Sequence, residues 1–359
     1  MGITYNYSPN YRLIANDVNV TDKIADRLVS LRYTDAVGME SDMLEIVLAD
    51  HKRAAPLAIP PKGSELQLFM GYGTDMRRVG LFVSDEIEVG FPCGQLVIRA
   101  RAATYKASKS GKADLQSQKS RSWEEGTTLA TLVKTIAKEH GLTPVIAAAL
   151  GAVALPHVDQ TDESDLNLLL RLTRRYDAFV KPAGGKLVIS KRGASTTASG
   201  VALPSAQIYE DDVAPDSGRL VESSRETAGT VVAYYHAIDD ARRAAVKVGS
   251  GKPERRLKTS YPSEAMALAA ARADLARRKR GMRTLSFQTV GSLDVVAEGT
   301  VDMVDFREGV AGKWLVKRVD HTLDVGGWSM RVECEELNSG TVEDASVEYT
   351  DPETVSAAA

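Results

Sequence analysis

Cysteine is almost missing from this chain: Cys93 and Cys334 are the two among 359 residues, far apart and in no CxxC or Cys/His spacing. Neither a zinc site nor a disulfide framework is signalled, and two free, half-buried thiols are expected. Histidine is scarce and scattered as well. His51, His140, His157, His236 and His321 form no HExxH motif and no i, i+4 pair, which removes the common metalloprotease pattern; His321 reads as a structural residue of a strand ladder. No GxSxG, P-loop or helix-leading GxGxxG occurs, so the glycines mark turns and a nucleotide site is not expected. No apolar run reaches the roughly 18 residues that span a bilayer. The opening MGITYNYSPNYRLIAND has neither the basic nor the apolar region of a secretory signal, and the expectation is a protein made and kept in the cytoplasm unless it leaves inside a larger assembly. An excess of one charge is missing too. Forty-five basic against 48 acidic residues give a net charge of −3, which excludes a global field toward nucleic acid or an anionic membrane.

What is present is an ordinary folded composition, 43% hydrophobic and 26% charged, with length for two or three domains at roughly 150 residues each. Residues 1–105 predict strands. Leu44, Ile46 and Leu48 share a face in LEIVLAD, Leu66, Leu68 and Met70 in ELQLFMGYG, and Leu81, Val83, Ile87 and Val89 in GLFVSDEIEVG, the period-two spacing of half-buried β structure. A hairpin loop, GFPCG, leads from there into QLVIRARAA.

Residues 106–218 change texture. A polar, linker-like stretch, KASKSGKADLQSQKSRSW, precedes a helix in which Leu129, Leu132, Val133, Ile136 and Ala137 recur at i, i+3, i+4, i+7 and i+8 between a Thr cap and Gly141. The stretch HVDQTDESDLNLLLRLTRRYDAFV then packs four carboxylates, Asp159, Asp162, Glu163 and Asp165, ahead of a leucine run. Leu168, Leu169, Leu170, Leu172 and Tyr176 fall on one helical arc, with Asn167, Arg171, Arg174 and Arg175 on the other. Acids at and just before a first turn satisfy orphan N–H groups and the macrodipole, so the expected role is to start the helix. The competing reading, a general acid–base pair as in glycosidases, needs a cleft and a shifted pKa that one helix start does not supply. A Gly-Gly hairpin follows in FVKPAGGKLVISKRG, then a Ser, Thr, Ala and Pro-rich connector, 193–218, around one short strand.

Residues 219–340 return to β structure: a hairpin turning near Asp239 and Asp240, a capped helix over 263–280 with Gly281 behind it, then strands in TLSFQTVG, GTVDMVDF, KWLVKRVDHTLDVG and GWSMRVECEEL. The basic run Arg277–Arg280 is expected to sit in solvent at the helix C-terminus, with an acidic ring partner or DNA as the alternative. The alanines of AMALAAARADLA suit close packing on the chain's own β structure, or on a neighbouring subunit. An acidic tail fills 341–359.

The two β blocks resemble each other. LEIVLAD, SELQLFMG behind Gly63, LFVSDEIEVG behind Gly80 and QLVIRARAA run in the same order as LSFQTVG, TVDMVDF behind Gly299, KWLVKRVDHTLDVG behind Gly312 and WSMRVECEE. Both third strands end in Val-Gly, at Val89-Gly90 and Val325-Gly326. The predicted fold class is mainly β with α insertions: two tube-like β-barrel domains joined by a mixed helix and strand connector.

Three segments, KSRSWEEGTTLATLVKTIAKEHGL at 119–142, QTDESDLNLLLRLTRRYDA at 160–178 and KWLVKRVDHTLDVGGWSMRVECEE at 313–336, together with the β blocks, resemble the late control D proteins, the baseplate hubs of contractile-tailed phages. R-type pyocin hubs and the N-terminal part of VgrG spikes are similar. The resemblance implies a homotrimer whose paired barrels make a pseudo-sixfold ring, matching the hexameric tail tube on one side and the trimeric spike on the other. It implies no catalytic residue, cofactor or metal. Since no spike follows residue 340, the spike is expected as a separate partner, with tape-measure and baseplate-wedge proteins as further neighbours and neither membrane nor specific nucleic acid. Assembly in the bacterial host cytoplasm and residence in a virion or tailocin particle follow from it. Alternatives are a peptidoglycan hydrolase using Asp159 or Glu163 as acid, the hub of a type VI secretion-like injection machine, or a nucleic-acid module at Arg277–Arg280.

Overall fold

The computed structural model describes residues 8–38, 42–52, 54–92, 94–102, 114–183, 185–223, 229–237, 242–337 and 345–349. Cys93, the turn expected at Asp239 and Asp240, part of the expected linker and most of the expected tail lie outside them.

The mainly β expectation holds. The first block comprises β1 (Pro9–Ala15), β2 (Val18–Asn19), the one-turn helix α1 (Thr21–Ile24), β3 (Leu28–Ala36), β4 (Met43–Asp50), β5 (Glu65–Tyr72), β6 (Asp75–Val89) and β7 (Gly94–Ala102). Strand alternation places its core: Leu31 and Tyr33, Leu44, Ile46 and Leu48, Leu66, Leu68 and Met70, and Leu96, Ile98 and Ala100 are all buried together, every second residue as a pleat requires. The face expected for β6 is observed only in part. Leu81 is buried, but so are Phe82 and Ser84, while Val83 and Ile87 are half-buried and Val89 is exposed. A bulge opposite β7, between Ser84 and Glu86, adds one residue and flips the alternation, so Leu81 and Val83 do not share a side with Ile87 and Val89.

The middle body follows, with β8 (Gln118–Trp123), α2 (Leu129–Glu139), β9 (Thr143–Ile146), α3 (Ala148–Gly151), β10 (Val158–Ser164), α4 (Asp165–Thr173), β11 (Ala178–Ala183) and β12 (Lys186–Lys191). It has its own core, in which Leu132, Val133 and Ile136 of α2 meet Leu168, Leu169 and Leu172 of α4 over Val180, Leu187 and Ile189. Thr128 caps α2 by accepting the Thr131 N–H, and Gly141 behind it takes φ +63°, the left-handed turn that ends many helices. The acidic stretch needs a correction. Asp159, Asp162 and Glu163 lie on β10, paired with β8, and only Asp165 stands in the first turn of α4, whose cap is Ser164 accepting the Asn167 N–H.

The remainder comprises β13 (Ser205–Tyr209), β14 (Arg219–Glu222), β15 (Thr230–Ala237), β16 (Arg242–Gly249), β17 (Glu254–Tyr261), α5 (Glu264–Met282), β18 (Arg283–Val290), β19 (Thr300–Val304), β20 (Gly312–Asp324), β21 (Gly327–Glu336) and β22 (Ala345–Tyr349). It serves two sheets. The expected hairpin β15–β16 stands in a four-stranded sheet ordered β17-β15-β16-β22, and α5 lies on it through Met266, Ala267, Ala270, Ala271 and Leu275. The alanine face is therefore used within the chain, where small side chains let the helix approach the sheet.

All the other strands of this part join the first block in a single 13-stranded sheet. Its order is β14-β18-β21-β20-β3-β4-β7-β6-β5-β1-β2, with β19 on β20 and β13 on β19. Among the described residues this sheet is open, ending at β14 and β2, so the two blocks are continuous rather than separately closed barrels.

Candidate assembly interface

The internal repeat is visible residue by residue. Strands pair as β3-β4-β7-β6-β5 in the first block and as β14-β18-β21-β20-β19 in the second, the same order for strands met in the same sequence. The bulges coincide as well. Ser84 and Glu86 flank the bulge of β6 against β7, and Val316 and Arg318 flank that of β20 against β21. Counting outward from them, Gly80 opposite Leu68 matches Gly312 opposite Met303. Backbone bonds repeat at the bulge: Gly63 N–H donates to Ser84 O and Ser84 N–H to Ser64 O, as Glu298 N–H donates to Val316 O and Val316 N–H to Gly299 O. The outermost strands differ, because β1 runs antiparallel to β5 while β13 runs parallel to β19.

The blocks meet where β20 changes partner. Its first part pairs with β19 from Gly312 to Leu315, and beyond the bulge Arg318 to Asp324 pair with Ala36 to Ser30 of β3. Side chains lock this seam. Thr34 Oγ1 donates to Asp320 Oδ1 at 2.6 Å, the Tyr33 and His321 rings stack at 5.5 Å and 9°, and Trp328 tilts against both His321 and Tyr72. Tyr72 donates its hydroxyl hydrogen to Gly291 O at 2.8 Å. A Cβ at Gly291 would enter the Trp328 indole, which explains the glycine there. Lys181 of β11 ties in the middle body, its Nζ 2.8 Å from Asp35 and 2.7 Å from Asp42. Burial opposes each charge, but the two carboxylates hold Lys181 protonated, up to about 12. Asp35, which also accepts the Ala297 N–H at 2.8 Å, keeps its charge because Lys181 outweighs its burial; burial and Asp35 push Asp42 up to about 6.

His321 is 2% exposed. Burial lowers its pKa to about 4 against the pull of Asp35 and Asp320, so the folded seam holds it neutral while the unfolded chain protonates it near pH 6.5. The unfolded state then binds more protons across that window, and stability falls as pH drops from about 6.5 toward 4. Full protonation of the unfolded chain alone is worth roughly 3 kcal/mol. In thermal melts between pH 7 and 4.5, His321→Phe, which keeps a ring against Tyr33, is expected to flatten the slope; an unchanged slope would assign the acid sensitivity elsewhere.

Two charge clusters, one inside the middle body and one joining it to α5 and β21, have members that the sequence displays without showing that they meet. Asp165, fully buried, accepts from Lys119 (2.7 Å), Arg121 (2.6 Å), Gln160 (2.8 Å) and His140 (2.7 Å). Burial raises its pKa, yet these bonds and the Arg121 charge outweigh it and hold the carboxyl at about 2. Glu139 closes the cluster on Lys119 and Arg121 at 3.0 and 2.6 Å. Glu139, His140 and Asp165 have the spacing of metal ligands, but the ammonium and guanidinium already lie against both carboxylates, a donor set that repels a further cation. Glu163 is gripped by Arg171 at 2.6 and 3.0 Å, Asp159 stands exposed beside His157, and Asp162 turns back on Ser120. The four acids therefore share no cleft.

The second cluster corrects the reading of the basic run. Arg280 is not in solvent: it is 2% exposed and grips Asp177 with two 2.6 Å bonds, with Glu335 3.3 Å from its Nε. Arg192 reaches the same Glu335 at 2.6 Å and Glu298 at 3.2 Å. Arg277 and Arg278 both lean on Asp274. Cys334 is free and buried, more deeply than expected, and burial pushes its thiol pKa up, the mark of an inert core residue.

Known proteins resemble this chain in sequence or in fold. A probable baseplate hub protein of Escherichia phage 186 is 29% identical over 91% of this chain and 93% of its own length. The 43 kDa tail protein of prophage MuSo2 from Shewanella oneidensis superposes with a TM-score of 0.70 at 15% identity, covering 94% of this chain and all of that one. An Escherichia coli component of the type VI secretion system shares the fold more distantly, with a TM-score of 0.51 at 12% identity over 86% of this chain and 73% of its own. The phage tail baseplate hub (GPD) family model matches residues 55–326, from the first block through the middle body to the seam strand β20, and the chain belongs to that family.

Proposed function

We propose that the protein is a non-enzymatic structural hub of a phage or tailocin baseplate: a homotrimer whose six β blocks form a pseudo-sixfold ring, with the hexameric tail tube on one face and a separate trimeric spike on the other. The observation that carries this reading is the in-register duplication. A chain holding two copies of one strand arrangement presents two similar units, so three chains present six, and a threefold object can meet a sixfold one. Each block reads as a curved tube wall, and the middle body with its own core reads as a separate domain. No catalytic, cofactor or metal residue is assigned.

The hydrolase reading loses its chemistry. A general acid works inside a cleft that raises its pKa, whereas Asp159 stands exposed beside His157 and Glu163 is bonded to Arg171, with no cleft shared between them. The nucleic-acid reading loses Arg280 to Asp177. Light scattering on the purified protein mixed with its spike is expected to give three copies of the 38.7 kDa chain per complex. A monomer at every micromolar concentration, with and without spike, contradicts the trimer.

A further inference from the structure

The repeat exposes a difference between its two copies. In the second block, the part of β20 beyond the bulge is covered by β3 of the first block. The same half-strand in the first block, Glu86–Val89 of β6, is paired with β7 on one side and with no strand on the other, among the described residues. The counterpart of β3 is just as bare. Among the described residues, β14 pairs with β18 alone and ends the sheet. One junction between blocks is thus made inside the chain, and both halves of a second, equivalent junction are left open.

The register of the equivalence can be written down. Matching bulges sets Ile87 with Val319, Glu88 with Asp320 and Val89 with His321. Matching pairs on β4 and β18 sets Arg219 with Arg32, Leu220 with Tyr33, Val221 with Thr34 and Glu222 with Asp35. Burial follows the same division. His321 is 2% exposed where Val89 is 36%, and Val221 is 56% exposed although its counterpart Thr34 is partly covered. Two valines stand bare on open strand edges, an arrangement soluble proteins avoid unless the edge is used.

We propose that β6 of one copy pairs antiparallel with β14 of the next, with Ile87 opposite Glu222, Glu88 opposite Val221 and Val89 opposite Leu220. This rests on the hub reading and supplies its contact between chains. The pairing repeats the in-chain seam, so each added copy turns by the same step, and a head-to-tail contact of this kind closes into a ring when the steps complete a circle. Where the in-chain seam stacks Tyr33 on His321, the contact between chains has Leu220 on Val89, an apolar pair without a titrating group.

The test uses the full chain with Cys93→Ser. Glu88→Cys and Val221→Cys chains are prepared separately, mixed and oxidised, since directly opposed residues have Cβ atoms about 4.5–5.5 Å apart and both positions are exposed enough to spare the fold. Disulfide-linked pairs are expected in the mixture well above either chain alone, and the chain carrying both substitutions is expected to give covalent species up to three chains and none larger. If light scattering shows an oligomer but the mixture cross-links no faster than the single chains, the strand pairing is overturned and the hub reading stands. If neither oligomer nor cross-link forms, both fall. Cross-linked rings that bind neither tube nor spike would keep the pairing and remove the hub.

Discussion

Arg280→Met is expected to destabilise the folded protein by about 3–5 kcal/mol, the cost of removing one partner from a buried ion pair. The methionine fills similar space, so the loss is electrostatic rather than a cavity. Without the guanidinium, the Asp177 carboxylate loses both 2.6 Å bonds while staying almost out of water, and Glu335 is left with Arg192 as its cation among the described residues. The position also joins three parts of the chain: α5 supplies Arg280, the turn after α4 supplies Asp177 and β21 supplies Glu335. Urea unfolding measures the effect as a lower midpoint. Arg278→Met is the control, because its partner Asp274 is one helical turn away and such pairs contribute about 0.3–0.5 kcal/mol. Equal midpoints for the two variants would mean that the buried pair contributes nothing special.

Asp165→Ala is expected to be the next most damaging change, at about 3 kcal/mol. It strands Lys119, Arg121, His140 and Gln160 at once, but Lys119 and Arg121 are a quarter exposed and can turn to water, which places the cost below that of Arg280. The same carboxylate sets an acid limit distinct from that of His321. Its folded pKa, about 2, lies below the usual 3.9 for aspartate, so its contribution is complete above about pH 4 and is lost as pH falls toward 2. Urea midpoints measured from pH 5 to 2.5 are expected to fall for the parent and to fall less for Asp165→Ala; parallel curves would remove Asp165 as the cause.

The readable features were those with local causes. Strand alternation placed β4 and β5, the hairpin loop placed β7, and caps placed α2 and α5, because each depends on residues within one turn or one hairpin. The repeat could be read because Gly80 and Gly312 hold equivalent ladder positions, although for different reasons: Gly312 takes φ +109°, whereas a Cβ at Gly80 would press on the Phe82 ring. Long-range pairings stayed hidden. Nothing near Arg280 announces that Asp177, 103 residues away, will bury it. The acids of β10 looked like a helix start since the leucine run behind them is helical; the strand signal was the alternation of Val158 and Gln160, and a buried glutamine is an unusual inward residue. The shift of face along β6 comes from one bulge, which the sequence does not mark. The hairpin β15–β16 was legible as a hairpin, but its placement in a separate sheet depends on β17 and β22, which lie outside it.

One strand, β20, is shared lengthwise by both blocks, and that fixes how the molecule resists force. Tension directed along the strand strains every rung between β20 and β3 together, so the seam yields only when all of them fail at once. A pull across the strand would open them one after another, as a zipper does. The lengthwise sharing of β20 therefore makes the join between the two blocks strongest against a load that runs with the strand and weakest against one that peels it from β3.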